Sequence, residues 1–176
     1  METIQNEHCP ICNEKKLSLS EDEMDIPFFG LAYVFGMTCS GCGFHKSDVE
    51  AAESREPVKV SFTIANSKDL NIRVVKSSEA AVKIPQLKME MQPGPDSIGF
   101  VSNVEGLLKK FKEILESERD STDDEDVRKS AKNLLKKLWK VECGEQELKI
   151  IIEDPSGNSA IISDKAVTEK LAGKKK

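Results

Sequence analysis

Histidine stops at position 45, tryptophan and tyrosine occur once each, and basic residues are scarce in the first third of this 176-residue chain. Each shortage excludes something. No apolar run approaches the roughly 18 to 20 residues that a membrane span needs. The opening METIQNEHCP has neither the basic nor the apolar stretch of a signal peptide, so a cytoplasmic protein without a membrane partner is expected. No glycine-rich phosphate loop leads into a lysine and a hydroxyl residue, and no G-x-S-x-G elbow is present. No enzyme, catalytic residue or small-molecule substrate is expected.

Residues 1–57 hold four Lys/Arg against eleven Asp/Glu, a net of -7, whereas the remainder carries +2. Nucleic-acid binding needs cations that displace counterions from the phosphates. A module so acidic opposes it, and nucleic acid is not expected as a partner.

Cysteine is present in a pattern. Cys9-Pro-Ile-Cys12 and Cys39-Ser-Gly-Cys42 are two Cys-x-x-Cys pairs, and Gly41 and Gly43 suit a knuckle whose backbone must turn sharply. Two thiolates on one tight turn reach a single ion at about 2.3 Å, and two such turns complete a closed tetrahedral site. The reading is one structural Zn2+ on Cys9, Cys12, Cys39 and Cys42 in a zinc ribbon. His8 and His45 flank a filled shell and are expected at the surface or behind the ligands. Cys143, alone before Gly144, is expected in a core or at a helix end.

Between the pairs, IPFFGLAYVFGM (26–37) carries no charge and holds three of the seven phenylalanines and the single tyrosine, Tyr33. As a strand it would send Phe29, Leu31, Tyr33 and Phe35 one way and Phe28, Ala32 and Val34 the other. Both faces are apolar, so the rest of the chain or a partner must cover each. Pro27 and Gly30 break regular pairing and place Phe28 and Phe29 near a loop or strand edge.

A boundary is expected near Pro57, after EAAESREP, a short helix or linker, which divides the chain into 1–57 and 58–176. From Val58 the pattern alternates: VKVSFTI, LNIRVV, AVKI and LKMEM read as half-buried strands, with Leu70, Ile72 and Val74 on one face. Ser102-Asn103-Val104-Glu105 reads as a capping box, and helical periodicity follows. A helical hairpin over about 102–143 is predicted, broken at ESERDSTDDED. Strands resume at LKIIIEDPSGNSAIIS, where Asp154-Pro155-Ser156-Gly157 suits a type I turn between antiparallel strands.

CPIC, IPFFGLAYVFGMTCSGCGFHKSDV, DLNIRVVKSSEAAVKIPQLKMEM, VSNVEGLL and DPSGNSAII occur in the order seen in the ZPR-type zinc-finger proteins, which the chain resembles from Cys9 to about Ile162. Eukaryotic members carry the ribbon and A-domain unit twice; one copy here resembles the archaeal form. The resemblance implies a mainly β fold: an N-terminal zinc ribbon, then a double-stranded β-helix-like A domain carrying a helical hairpin. It implies a protein partner, translation elongation factor 1-alpha, whose folding or biogenesis the family assists. Carried over with it are the metal ligands, Phe28 and Phe29 of the IPFF element, and Asp154, Pro155, Gly157 and Asn158 of the DPSGN turn as partner-binding residues. Arg73 and Lys76 of RVVKSS are expected as solvated strand residues, with contact to an acidic or phosphate-bearing partner as the alternative. A cupin-type iron site would need two histidines, and 58–176 has none. The rival expectation is a ribbon-type nucleic-acid- or ribosome-associated factor in translation or transcription.

Overall fold

The computed structural model describes residues 2–26, 29–53, 55–95 and 97–171. The first unit is an antiparallel sheet of β1 (Glu2–His8), β2 (Lys15–Ile26), β3 (Gly30–Cys39) and β4 (His45–Ala51), in that spatial order. Each hairpin end carries one cysteine pair, because the knuckles turn the chain from β1 into β2 and from β3 into β4.

After 52–57, which contains no helix among the described residues, the chain enters β5 (Val58–Ile64), β6 (Arg73–Lys76), β7 (Ala81–Ile84), β8 (Met89–Met91) and β9 (Phe100–Asn103). Helices α1 (Val104–Ser121) and α2 (Glu125–Glu142) follow, then β10 (Leu148–Asp154), β11 (Ala160–Ile161) and β12 (Val167–Lys170). The strands form a five-stranded sheet, β12-β5-β10-β7-β8, and a three-stranded sheet, β11-β6-β9. The hairpin lies where the sequence periodicity puts it, and the fold is mainly β with an α insertion.

Alternation drives the core. In β10, Leu148, Ile150 and Ile152 point inward opposite Ile64, Phe62 and Val60 of β5. Val104, Leu107, Leu108, Phe111 and Leu115 of α1 pack into the same cluster, joined by Leu138 and Val141 of α2. Helix α2 ends in a Schellman motif: the Glu145 amide donates to the Lys140 carbonyl and the Gly144 amide to the Val141 carbonyl, with Gly144 at φ +75°. Cys143 sits at that helix end and is exposed, outside the core.

Local chemistry shifts several expected boundaries. Leu70 does not extend a strand toward Val74, because Asn66 caps a 3-10 turn over Ser67–Asn71, its side chain accepting from the Lys68 amide, and β6 starts only at Arg73. A second 3-10 turn, Pro85–Leu87, ends on left-handed Lys88 and takes Leu87 out of β8. The N-cap of α1 is Asn103 rather than Ser102: its side chain accepts from the Gly106 amide at 2.8 Å, while Ser102 is still paired with Val74 in the sheet.

The DPSGN segment is a turn, with the Gly157 amide donating to the Asp154 carbonyl, but it closes no hairpin. It carries the chain from β10 in one sheet to β11 in the other.

Candidate metal centre and the faces of the ribbon

The two knuckles repeat one geometry. The Asn13 amide donates to the Cys9 carbonyl as the Gly43 amide does to that of Cys39; the Cys9 amide donates to the Glu14 carbonyl as the Cys39 amide does to that of Phe44. The residue after each pair must turn left-handed, and Asn13 (φ 59°) and Gly43 (φ 75°) are residue types that tolerate this. Amides of Ile11 and Gly41 point at the Cys9 and Cys39 sulfurs, at 3.4 and 3.3 Å.

All four sulfurs lie within 4.8 Å of one another, with Cys9–Cys42 and Cys12–Cys39 at 3.7 Å. A tetrahedral zinc with Zn–S of about 2.3 Å requires an S–S edge of about 3.8 Å. The tetrad therefore fits the ion, and the four cysteines form a zinc-binding site. Burial opposes the Cys9 thiolate, yet the Cys12 and Ile11 amides and the Cys39 and Cys42 thiols lower it to about 7. For Cys12 the Glu14 amide favours the thiolate, but burial and the three neighbouring sulfurs push it up to about 12. Four thiolates at this spacing need a central positive charge. His8 bonds the Asn13 carbonyl through Nδ1, and His45 shares a hydrogen bond with Thr38, so both stand outside the tetrad.

Strand β3 separates the apolar run by parity. Ala32 and Val34 face the second unit and pack with Ile26, Val49, Val75 and Val101. The opposite face carries Leu31, Tyr33, Phe35 and Met37, and across the register Leu19 and Ile4. Leu31, Met37 and Ile4 are 41%, 37% and 57% exposed. Tyr33 and Phe35 are half-buried, their ring centroids 6.5 Å apart. Glu21, Glu23 and Asp25 lie opposite Phe35, Tyr33 and Leu31 on β2, and Glu50 lies opposite Tyr33 on β4. The result is an open apolar face bordered by carboxylates.

Phe29 is not on that face. Its amide donates to the Ile26 carbonyl in the β2–β3 connection, and the ring is 4% exposed, with the Arg55 guanidinium 4.1 Å from its centroid and also bonded to its carbonyl. Phe28 falls outside the described residues.

The DPSGN residues lie at the junction of the two units. Asp154 continues the inward parity of Leu148, Ile150 and Ile152 and is fully buried. Its carboxylate accepts from the Ser77 hydroxyl (2.9 Å), the Ser159 hydroxyl (2.6 Å) and both the amide and the hydroxyl of Ser156. Gly157 is buried at φ +74°, and Pro155 is exposed. Beside them Asp48 of β4 accepts from the Ser78 amide at 2.9 Å and from its hydroxyl, and Ser47 and Gly99 exchange hydrogen bonds at 2.8 Å. Sequence reasoning missed Asp48, Ser77, Ser78 and Ser159; the SS of RVVKSS, directly after Lys76, was the only available sign.

Residues 68–174 match the ZPR1 jelly-roll domain. The chain is 40% identical over 173 residues to a ZPR1-like protein of Methanocaldococcus jannaschii, covering 98% of this chain and 87% of that one. It is 38% identical to a ZPR1-like protein of Pyrococcus horikoshii, over 93% of this chain and 75% of that one. It is 30% identical to the zinc finger chaperone zpr1 of Schizosaccharomyces pombe over 77% of this chain, but that match spans 30% of the yeast protein's length.

Proposed function

Because the chain belongs to the ZPR1 family, as a zinc-binding ribbon joined to a ZPR1 jelly-roll domain, we propose that it is a protein-binding module assisting the folding or biogenesis of translation elongation factor 1-alpha, and not an enzyme. The observation that carries this reading is the open face of β3. Four apolar side chains in a row, in a module with little interior, are costly to leave in water unless something docks on them. The carboxylate border selects a client segment with basic residues around an apolar centre. A chaperone among the relatives supports the same direction. The division at about residue 57 then has a purpose: the ribbon presents the face, and the jelly roll holds the ribbon rigid from behind. Phe28 adjoins this face in sequence, Pro155 is the exposed part of the DPSGN turn, and Phe29, Asp154, Gly157 and Asn158 act on binding by fixing the junction.

Affinity capture from native lysate, with bound proteins identified, tests this. The zinc-loaded chain retains elongation factor 1-alpha, and a Tyr33→Ser, Phe35→Ser variant that keeps its zinc does not. Equal retention by both would remove the face from the interface; no retention by either would remove the client.

One observation favours nucleic acid or the ribosome instead. Lys129, Lys132, Lys136 and Lys140 share the outer face of α2, with Trp139 55% exposed beside them. Steeply salt-dependent RNA binding that is lost on Lys132→Glu, Lys136→Glu substitution would establish that reading.

A further inference from the structure

Lys76 is a charged residue with no assigned work. It is 2% exposed at the end of β6, and among the described residues its ammonium makes one hydrogen bond, to the Ser77 carbonyl at 2.9 Å. Among the described residues no carboxylate oxygen lies within ion-pair distance of it. Burial lowers its pKa, Asp154 and Asp48 oppose that shift from a distance, and Lys110 adds to it. A buried ammonium with two N–H positions that no described residue fills is costly unless an acceptor reaches it.

The space in front of it is a cleft of about 890 Å³ between α1 and 91–95 and 97–100. Phe100 lies at its inner end, with the Lys76 and Lys110 nitrogens 5.8 and 4.8 Å from the ring centroid. Met91, Ile98 and Ile114 supply apolar wall, and Ile114 is 50% exposed. Glu113, Ser117, Glu118 and Ser121 continue the wall along α1. Positions 110 to 121 span about 16 Å of helix. The cleft is cationic at its buried end and anionic farther out.

We propose that this cleft binds an acidic side chain on a protein segment, flanked by apolar residues, with Lys76 and Lys110 as its anchors. One carboxylate fills the open donor positions of Lys76, and its apolar neighbours cover Ile98 and Ile114. Glu113 and Glu118 disfavour a polyphosphate, whose charge would run along the whole cleft, and suit a basic residue farther along the same segment. The site is separate from the ribbon face and stands or falls without it.

The test uses the full zinc-loaded chain, isotopically labelled, and three probes: the capped pentapeptide Gly-Leu-Glu-Leu-Gly, its counterpart with Gln for Glu, and inorganic phosphate at matched ionic strength. The Glu peptide is expected to shift the amide resonances of Lys76, Phe100 and Lys110 saturably, with the Gln peptide at least about tenfold weaker. Lys110→Met should weaken the Glu peptide about tenfold with the thermal transition unchanged, and Lys76→Arg should keep binding. Lys76→Met should abolish it; if that variant fails to fold, the other two decide. Equal shifts by the Glu and Gln peptides, no saturable shift, or full binding by Lys110→Met would overturn the proposal. Phosphate saturating below the peptide concentration would overturn it in favour of a phosphate site.

Discussion

The side-chain oxygen of Asn158 accepts a hydrogen bond from the Ala51 amide at 3.1 Å, joining positions 107 residues apart. The last residue of the ribbon sheet is thereby paired by a side chain of the jelly roll. Asn158→Ala leaves the Ala51 amide at a partly covered junction without its acceptor, a cost of about 1–3 kcal/mol. Chemical denaturation should show that loss with the zinc content unchanged.

Zinc removal should unfold one unit and spare the other. Tyr33, the only tyrosine, is in the ribbon, and Trp139, the only tryptophan, is on α2. Metal analysis should give one zinc per chain. A strong chelator, or Cys39→Ala, should abolish the near-ultraviolet signal of Tyr33 while Trp139 fluorescence still reports a cooperative transition at higher denaturant.

A Cβ placed on Gly157 would stand 2.3 Å from the Glu56 carbonyl oxygen and 2.8 Å from the Arg55 Cβ, at a backbone angle that L side chains rarely adopt. Gly157→Ala should cost about 2 kcal/mol or more. The expected readout is a lowered thermal midpoint, together with loss of client capture if the junction orients the ribbon.

Asp69 titrates in the direction of acid lability. Burial opposes its charged form, but Lys165 at 2.8 Å and the Ala65 amide overcome this and hold its pKa below the usual carboxylate value. A lowered folded pKa means that the unfolded chain binds the proton more readily. The contribution is full above the unfolded value, near 3.9, and is lost as pH falls through the folded one. Asp69→Asn should lower stability at pH 7 and flatten its decline as the pH falls below the usual carboxylate range, as measured by urea midpoints across pH.

Much of this was legible in the sequence for two reasons. Cys-x-x-Cys pairs have one common physical use at that spacing, and the helical periods of α1 and α2 are long enough to be unambiguous. Short segments were less legible. Asn66 and Pro85 redirect the chain locally, so Leu70 and Leu87 leave the strands that their alternation suggested. The DPSGN turn looked like a hairpin because turn chemistry fixes a reversal but not which sheet receives the next strand. Phe29 was grouped with Leu31 by parity, yet Gly30 at φ +93° breaks the parity between them. Lys76 could not be singled out as buried, since nothing in RVVKSS distinguishes it from a solvated strand lysine.

The parity of β3 constrains how this sequence can vary. Its odd positions from Leu31 to Met37 look outward and its even positions Ala32 and Val34 look inward, so adding or deleting one residue between them would exchange the two sets. Tyrosine and phenylalanine rings would be driven into a slot shaped for alanine and valine, and the small residues would surface. A one-residue change of length would therefore disturb both faces of the ribbon at once.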